Sequence, residues 1–243
     1  MTRPLREHAG PAGFPAEDNC LTIGGVKLTR LAELIGRTPF YAYDRALIAA
    51  RVAELRRHLP TEIELHYAIK ANPMPAVVQH LRALVDGFDV ASAGEMRVAL
   101  DAGMTPSAIG FAGPGKSAAE LCQAVAAGVT VTLESEQEMR ALAALARRAG
   151  VTPRVLVRVN PDFELKAAGM RMGGGAKAFG VDAERVPALV RDIIAAGANW
   201  RGFHIFAGSQ ALDAAAIADT QRQTVDLAAR LAEAIGTSPP KVN

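Results

Sequence analysis

Tyr67-Ala68-Ile69-Lys70-Ala71-Asn72-Pro73 is the stretch on which the reading of this chain turns. It closes an alternating run, Glu62-Ile63-Glu64-Leu65-His66-Tyr67-Ala68-Ile69, whose period of two predicts a strand over Glu62–Lys70. Lys70 falls where that strand ends, between Ile69 and Ala71, and Asn72-Pro73 turns the chain straight after. A lysine at the carboxyl end of a buried strand can have its ammonium partly desolvated. Desolvation disfavours the charged form, and the neutral amine attacks aldehydes to give a Schiff base. On the lysine alone, a strand-end side chain reaching into water is an equal reading.

Outward from Lys70 the chain alternates. Strands are predicted over Phe88–Ser92, Ala108–Ala112, Val129–Glu134, Arg154–Asn160 and Trp200–Phe206. Helices are predicted over Met74–Val85, Gly94–Ala102, Ser117–Ala127, Glu136–Ala149, Ala183–Ala196 and Asp213–Ile235, with Gly87, Gly103, Gly128, Gly150 and Gly197 at their exits. Strand followed by helix, repeated with short connections, means parallel strands with crossover helices. The repeat length suits a parallel (β/α)8 TIM-type barrel, and a doubly wound open sheet fits the alternation too. About six units are present, and a seventh strand begins at Lys241-Val242-Asn243. The barrel is therefore expected to be incomplete, the chain reading as an N-terminal fragment. A closed barrel needs about two more units, on the order of 50 residues.

Ahead of the alternation, residues 1–19 are rich in Pro, Gly and charge without a period, which predicts a mobile arm. Residues 20–37 read as a short strand broken by Gly24-Gly25 and then a turn or two of helix through Leu31, Leu34 and Ile35. Thr38-Pro39-Phe40-Tyr41-Ala42-Tyr43-Asp44 reads as a strand, with Asp44 the N-cap of a helix over Arg45–His58. The barrel portion is taken as 38–243.

Composition excludes several classes. Of 243 residues half are apolar and 21% charged, with net charge +2, so neither a disordered chain nor a polybasic nucleic-acid surface is indicated. Cys20 and Cys122 make neither a disulfide framework nor a metal pair. No apolar run approaches a membrane span, and the first residues carry no apolar signal-peptide core. A cytoplasmic setting is the expectation.

Tyr-Ala-x-Lys-Ala-Asn-Pro resembles the cofactor lysine motif of the fold-type III, alanine-racemase-like decarboxylases, which include diaminopimelate, ornithine and arginine decarboxylases. Thr38-Pro-Phe-Tyr-Ala-Tyr-Asp44 is similar to the same family's entry into its barrel, where the preceding strand belongs to a separate β-domain. The resemblance implies pyridoxal 5'-phosphate as cofactor, with Lys70 holding its aldehyde, and an amino-acid decarboxylase as the activity. A racemase or a non-catalytic pyridoxal-phosphate barrel are the alternatives. It also implies a homodimer, and a phosphate loop, further barrel units and further site residues beyond Asn243. The fragment alone is expected to lack activity.

Other segments carry the resemblance in order. Phe88-Asp89-Val90-Ala91-Ser92-Ala93-Gly94-Glu95 is similar to the family's Asp-Val-Ala-Ser-x-Gly-Glu, implying that Asp89 and Glu95 lie around the cofactor. Ser92 with Glu95 also forms a capping-box pattern, which accounts for both residues structurally. Arg158, flanked by Val157 and Val159, would be costly if unpaired and needs an anion: Glu95, or the cofactor side of the mouth. The resemblance implies a cofactor-proximal arginine there, and a structural ion pair is the equal alternative. His204 resembles the histidine that stacks on the pyridine ring. Ser209 resembles a phosphate-side serine, although Phe206 and Ala207 intervene before Gly208-Ser209. Gly169–Gly180 reads as a mobile lid, containing Lys177-Ala178-Phe179-Gly180.

One rival motif stands out. Gly110-Phe-Ala-Gly-Pro-Gly-Lys-Ser117 fits the G-x-x-x-x-G-K-[ST] phosphate loop between a strand and a helix. Pro114 lacks the N–H that such a loop aims at phosphate. A tight turn with Ser117 as N-cap is the favoured reading, and nucleotide binding with magnesium is the alternative.

Overall fold

The computed structural model describes residues 13–165 and 169–243. They form two compact units, one ending at Glu64 and the other spanning Leu65–Asn243. The first holds a small antiparallel sheet, β1 (Ala16–Glu17), β2 (Cys20–Ile23) and β3 (Val26–Lys27), then α1 (Leu28–Ile35) and α2 (Arg45–His58). Gly24 and Gly25 turn β2 back onto β3, so the expected single broken strand is a hairpin. The arm expected over 1–19 falls mostly outside the described residues, and its end, Ala16–Glu17, pairs with β2. Thr38–Asp44 forms no strand: Pro39 has no N–H to give a ladder, and among the described residues no strand pairs with the segment. Asp44 does cap α2, its carboxylate accepting the N–H groups of Ala46 and Leu47.

The second unit follows the predicted alternation. In order come β4 (His66–Ala68), α3 (Pro75–Arg82), β5 (Gly87–Val90), α4 (Ala93–Asp101), β6 (Ile109–Phe111) and α5 (Ala118–Ala127). Then come β7 (Thr130–Leu133), α6 (Glu136–Ala149), β8 (Arg154–Asn160), β9 (Met170–Arg171), β10 (Val181–Asp182) and α7 (Val186–Ala195). The unit ends with β11 (Asn199–Ile205), β12 (Gly208–Ser209), α8 (Ala214–Ile235) and β13 (Lys241–Val242). The main sheet is parallel in the order β13-β11-β8-β7-β6-β5-β4, with β10 beside β8. Sequential strands as neighbours is barrel order, not the reversing order of a doubly wound sheet. The expected seventh strand is present as β13, parallel to β11.

The register sorts the sheet into two faces. Tyr67, Phe88, Phe111, Val131, Val157 and Phe203 share one face, and all but Tyr67 are 0–1% exposed beneath the helices. Burying each aromatic or branched side chain there contributes about 1.5–3 kcal/mol. The other face carries His66, Asp89, Thr132, Glu134, Arg158, His204 and Lys241. Lys241 Nζ lies 3.2 Å from His66 Nε2, so the two ends of the strand order curl until their side chains meet. Such a meeting of strands one and seven is what barrel layering provides, because alternate strands fill each interior layer.

Candidate active site

The carboxyl ends of β4 to β8 and β11 form the mouth. Helix starts there are fastened by one repeated device, Ser-x-x-Glu. Ser92, Ser117 and Ser135 each accept a hydrogen bond from the N–H three residues on, belonging to Glu95, Glu120 and Glu138. Only Ser117 and Glu120 close the full capping box. The expected box at Ser92 is half formed: Glu95 Oε2 accepts instead from Ala91 N–H at 2.8 Å, one residue earlier. Glu138 does the same with Glu134 N–H at 2.8 Å. Neighbouring junctions are also joined, since Glu120 Oε1 accepts from Ala93 N–H at 3.1 Å and Lys116 Nζ pairs with Glu138 at 2.8 Å.

That last pair decides the rival motif. Lys116 is 1% exposed by side chain, donates to the Gly113 carbonyl at 2.5 Å, and packs 5.8 Å from the Phe111 ring centroid. Burial raises the Glu138 carboxyl above its ordinary range, and the lysine opposes that rise. A lysine spent on a buried carboxylate and a loop carbonyl cannot reach a phosphate, so Gly110–Ser117 is a clasp between turns.

Lys70 does not lie on a strand. β4 stops at Ala68, and Ile69–Ala71 is a single 3-10 turn closed by Asn72 N–H on the Ile69 carbonyl at 3.0 Å. Asn72 Oδ1 accepts from Met74 N–H at 3.1 Å, and Tyr67 Oη donates to the Asn72 carbonyl at 3.2 Å, which fixes the turn. The predicted strand over Glu62–Lys70 was too long because its polar beginning has no ladder partner. Ile69 is fully buried while Lys70 is exposed, so the expected desolvation of the amine is absent. The turn instead presents the amine at the rim.

His204 is the centre of the charge arrangement. The residue as a whole is half-buried, and burial of the imidazole pushes its pKa down from 6.5 to about 4. The Arg158 guanidinium adds to that lowering, Lys70 adds a smaller share, and Asp89 and Glu134 oppose it. The imidazole is therefore neutral near pH 7. The same interactions bring Lys70, Asp89, Arg158 and His204 together around one ring. Glu95 is engaged at the start of α4. Ser209 sits in the β12 ribbon, antiparallel to β9, where the extra Phe206-Ala207 carries it off the end of β11.

Arg158 is paired with neither Glu95 nor open solvent. Its Nη1 donates to Glu134 Oε1 at 3.0 Å, with side-chain exposures of 7% and 3%. Glu134 also accepts the Gly113 N–H at 2.7 Å and the Gly180 N–H at 3.1 Å. Glu134 was not singled out from sequence. The signals were its place at a strand end matching Asp89 and the demand of Arg158 for an anion. The Phe179 ring centroid lies 4.7 Å from the Arg158 guanidinium carbon. In the loop read as a mobile lid, Gly173 N–H donates to the Ala207 carbonyl, Gly174 N–H to the Pro161 carbonyl, and Asn160 Nδ2 to the Gly175 carbonyl. Lys166–Ala168, which precede it, lie outside the described residues.

Comparison with known proteins places this geometry. Residues 45–240 match the family described as pyridoxal-dependent decarboxylase, pyridoxal binding domain. The chain belongs to that family. It is 33% identical over 201 residues to the L-glutamyl-[BtrI acyl-carrier protein] decarboxylase of Niallia circulans, covering 82% of this chain and 47% of that protein. It is 32% identical over 221 residues to the diaminopimelate decarboxylase of Archaeoglobus fulgidus, covering 88% and 51% respectively. The solved diaminopimelate decarboxylase from M. jannaschii, in co-complex with L-lysine, matches at TM-score 0.83 and 26% identity, covering 95% of this chain and 55% of that one. The chain thus spans about half the length of these relatives. Among the described residues no helix is long and apolar enough to cross a membrane, and no grouping of His, Cys, Asp and Glu could hold a metal ion.

Proposed function

We propose that this chain is the pyridoxal-phosphate-holding portion of an amino-acid decarboxylase. The observation that carries the reading is the gathering of an exposed lysine amine, a neutral imidazole and a compensated arginine at one mouth of parallel strands. These residues fit the group. An aldehyde needs an accessible amine, and a flat aromatic ring suits an uncharged imidazole face. The cofactor, when bound, supplies an electron sink for the carbanion left as carbon dioxide departs.

The chain's own residues have separable tasks in this proposal. Lys70 Nζ would hold the cofactor through its aldehyde and, when free, would take up or give a proton. His204 would support the ring face and, staying neutral, would place no charge there. Asp89, with Glu95 farther out, and the Arg158–Glu134 pair set the field around the ring. Ser209, in the β12 ribbon, would serve the phosphate side only if the cofactor extends toward that ribbon. Phe179, held over Arg158, excludes water from that side of the mouth. The substrate is an α-amino carboxylic acid, free or carrier-bound as the relatives' names differ. The intact protein is a cytoplasmic homodimer.

The test uses full-length protein. Borohydride reduction after incubation with pyridoxal phosphate should fix a pyridoxyl group on Lys70, read by peptide mass, and Lys70→Ala should abolish it. Carbon dioxide release from diaminopimelate or carrier-bound glutamate distinguishes a decarboxylase from a racemase or a non-catalytic carrier. Absence of label at Lys70 overturns the proposal.

A further inference from the structure

On the opposite side of the mouth from the Arg158–Glu134 pair lies a chain of contacts linking strands one, two and seven. His66 Nδ1 lies 3.2 Å from Asp89 Oδ1, and His66 Nε2 lies 3.2 Å from Lys241 Nζ. The roles follow from the donors. A lysine ammonium has only N–H to offer, so Nε2 must accept, and the proton must sit on Nδ1, facing a carboxylate that can only accept. The imidazole is 12% exposed by side chain and Asp89 31%.

The space for this chain is built by three glycines. A Cβ on Gly87 would stand 2.5 Å from His66 Cε1 and 2.4 Å from the Ala108 carbonyl oxygen. A Cβ on Gly110 would stand 2.9 Å from Asp89 Oδ1. Gly202, at φ +116°, lets β13 approach so closely that a Cβ would lie 1.9 Å from the Lys241 carbonyl oxygen. Each strand flanking a member of the chain thus gives up its side chain where that member needs room. Barrel interiors are ordinarily filled with branched apolar side chains. A polar chain packed this closely inside the barrel stands apart from that pattern.

We propose that His66, anchored by Lys241, is a positioning residue that holds the Asp89 carboxylate in its place beside His204 and the bound pyridoxal ring. The inference rests on the function proposed above. It assigns His66 and Lys241 a role through Asp89, without contact to substrate.

The test is made on full-length protein in three readouts. First, nitrogen-15 spectra of the cofactor-free protein: the histidine signal lost in His66→Leu should be the Nδ1–H neutral tautomer, and Lys241→Met should remove that preference. Second, pyridoxal-phosphate affinity: His66→Leu should weaken it about tenfold, what one charge-assisted hydrogen bond is worth. His66→Asn, whose amide can still donate to Asp89, should recover most of the loss. Third, coupling: His66→Leu with Lys241→Met should be no worse than His66→Leu alone. Gly110→Ala, which crowds the Asp89 carboxylate from the far side, should reproduce the affinity loss with His66 intact and serves if His66→Leu does not fold. An Nε2–H tautomer, equal affinities for the Leu and Asn variants, or additive effects would overturn the relay. Wild-type protein that takes no label at Lys70 would instead overturn the pyridoxal reading on which it rests, and the two failures are read in different experiments.

Discussion

Replacing Glu134 by glutamine tests how the mouth is held together. Glu134 and Arg158 are 3% and 7% exposed by side chain, with 3.0 Å between Oε1 and Nη1. The same carboxylate accepts two backbone N–H groups, of Gly113 and Gly180. Glutamine keeps one acceptor oxygen, and its amide NH2 meets a donor whichever way it turns. Arg158 is left charged and buried, with the Phe179 ring as remaining cover. Removing one partner of a buried ion pair costs about 3–5 kcal/mol. With a urea m value of about 2–3 kcal/mol/M, that lowers the unfolding midpoint by roughly 1–2 M.

Arg158→Met should cost less than Glu134→Gln, because Glu134 retains both backbone donors. The decisive measurement is the double variant. If uncompensated charge is the cause, Glu134→Gln with Arg158→Met is more stable than Glu134→Gln alone, an interaction of about 1–3 kcal/mol. Urea unfolding followed by circular dichroism on the three variants reads this directly. Strictly additive losses would refute the argument and would mean that packing, not charge, holds the pair.

Further predictions concern single residues. His204 has a folded pKa of about 4 against 6.5 unfolded, so the unfolded chain binds more protons between them. Its contribution to stability is present above pH 6.5 and lost as pH falls toward 4, on the order of 2–3 kcal/mol. His204→Gln should flatten that part of the stability–pH curve, measured by urea midpoints from pH 4 to 7. Lys116→Met should leave Glu138 buried without its partner and destabilise by about 3–5 kcal/mol, while calorimetry with magnesium-ATP shows no binding to wild type or variant. Gly202→Ala has no room and an unfavourable φ, so hydrogen exchange at Asn243 N–H, bonded to the Phe203 carbonyl, should lose its protection.

Much of the fold was legible because its signals are local. The run Val155-Leu156-Val157-Arg158-Val159 and the Ser-x-x-Glu helix starts specify strand and helix without reference to the rest of the chain. Errors arose where a ladder partner decides. The Glu62–Glu64 beginning of the first strand and Thr38–Asp44 have strand-like composition but no neighbour to pair with. At the site, Lys70, Asp89 and His204 were singled out by the motifs around them, and Arg158 also because it interrupts an apolar strand. Glu134 was not, because a glutamate before a Ser N-cap looks like an ordinary helix start. The His66–Lys241 contact spans 175 positions and leaves no trace in local pattern.

The two faces of the sheet explain why some of the chemistry is hidden. On the outer face, identity is set by packing, and any branched or aromatic residue of the right volume advertises a strand. On the inner face, each charged group is tolerated only because a specific partner on another strand answers it: Glu134 for Arg158, Asp89 and Lys241 for His66. Periodicity can therefore say that position 158 faces inward, but not which anion waits there. That choice depends on register between β7 and β8, where Leu133 stands opposite Val157 and so brings Glu134 opposite Arg158. A slip of one residue would set Glu134 on the apolar outer face and leave Arg158 opposite Leu133, exposing both charges to desolvation without a partner. The ion pair thus acts as a register lock for the strands that form the mouth, because it penalises the misaligned sheet.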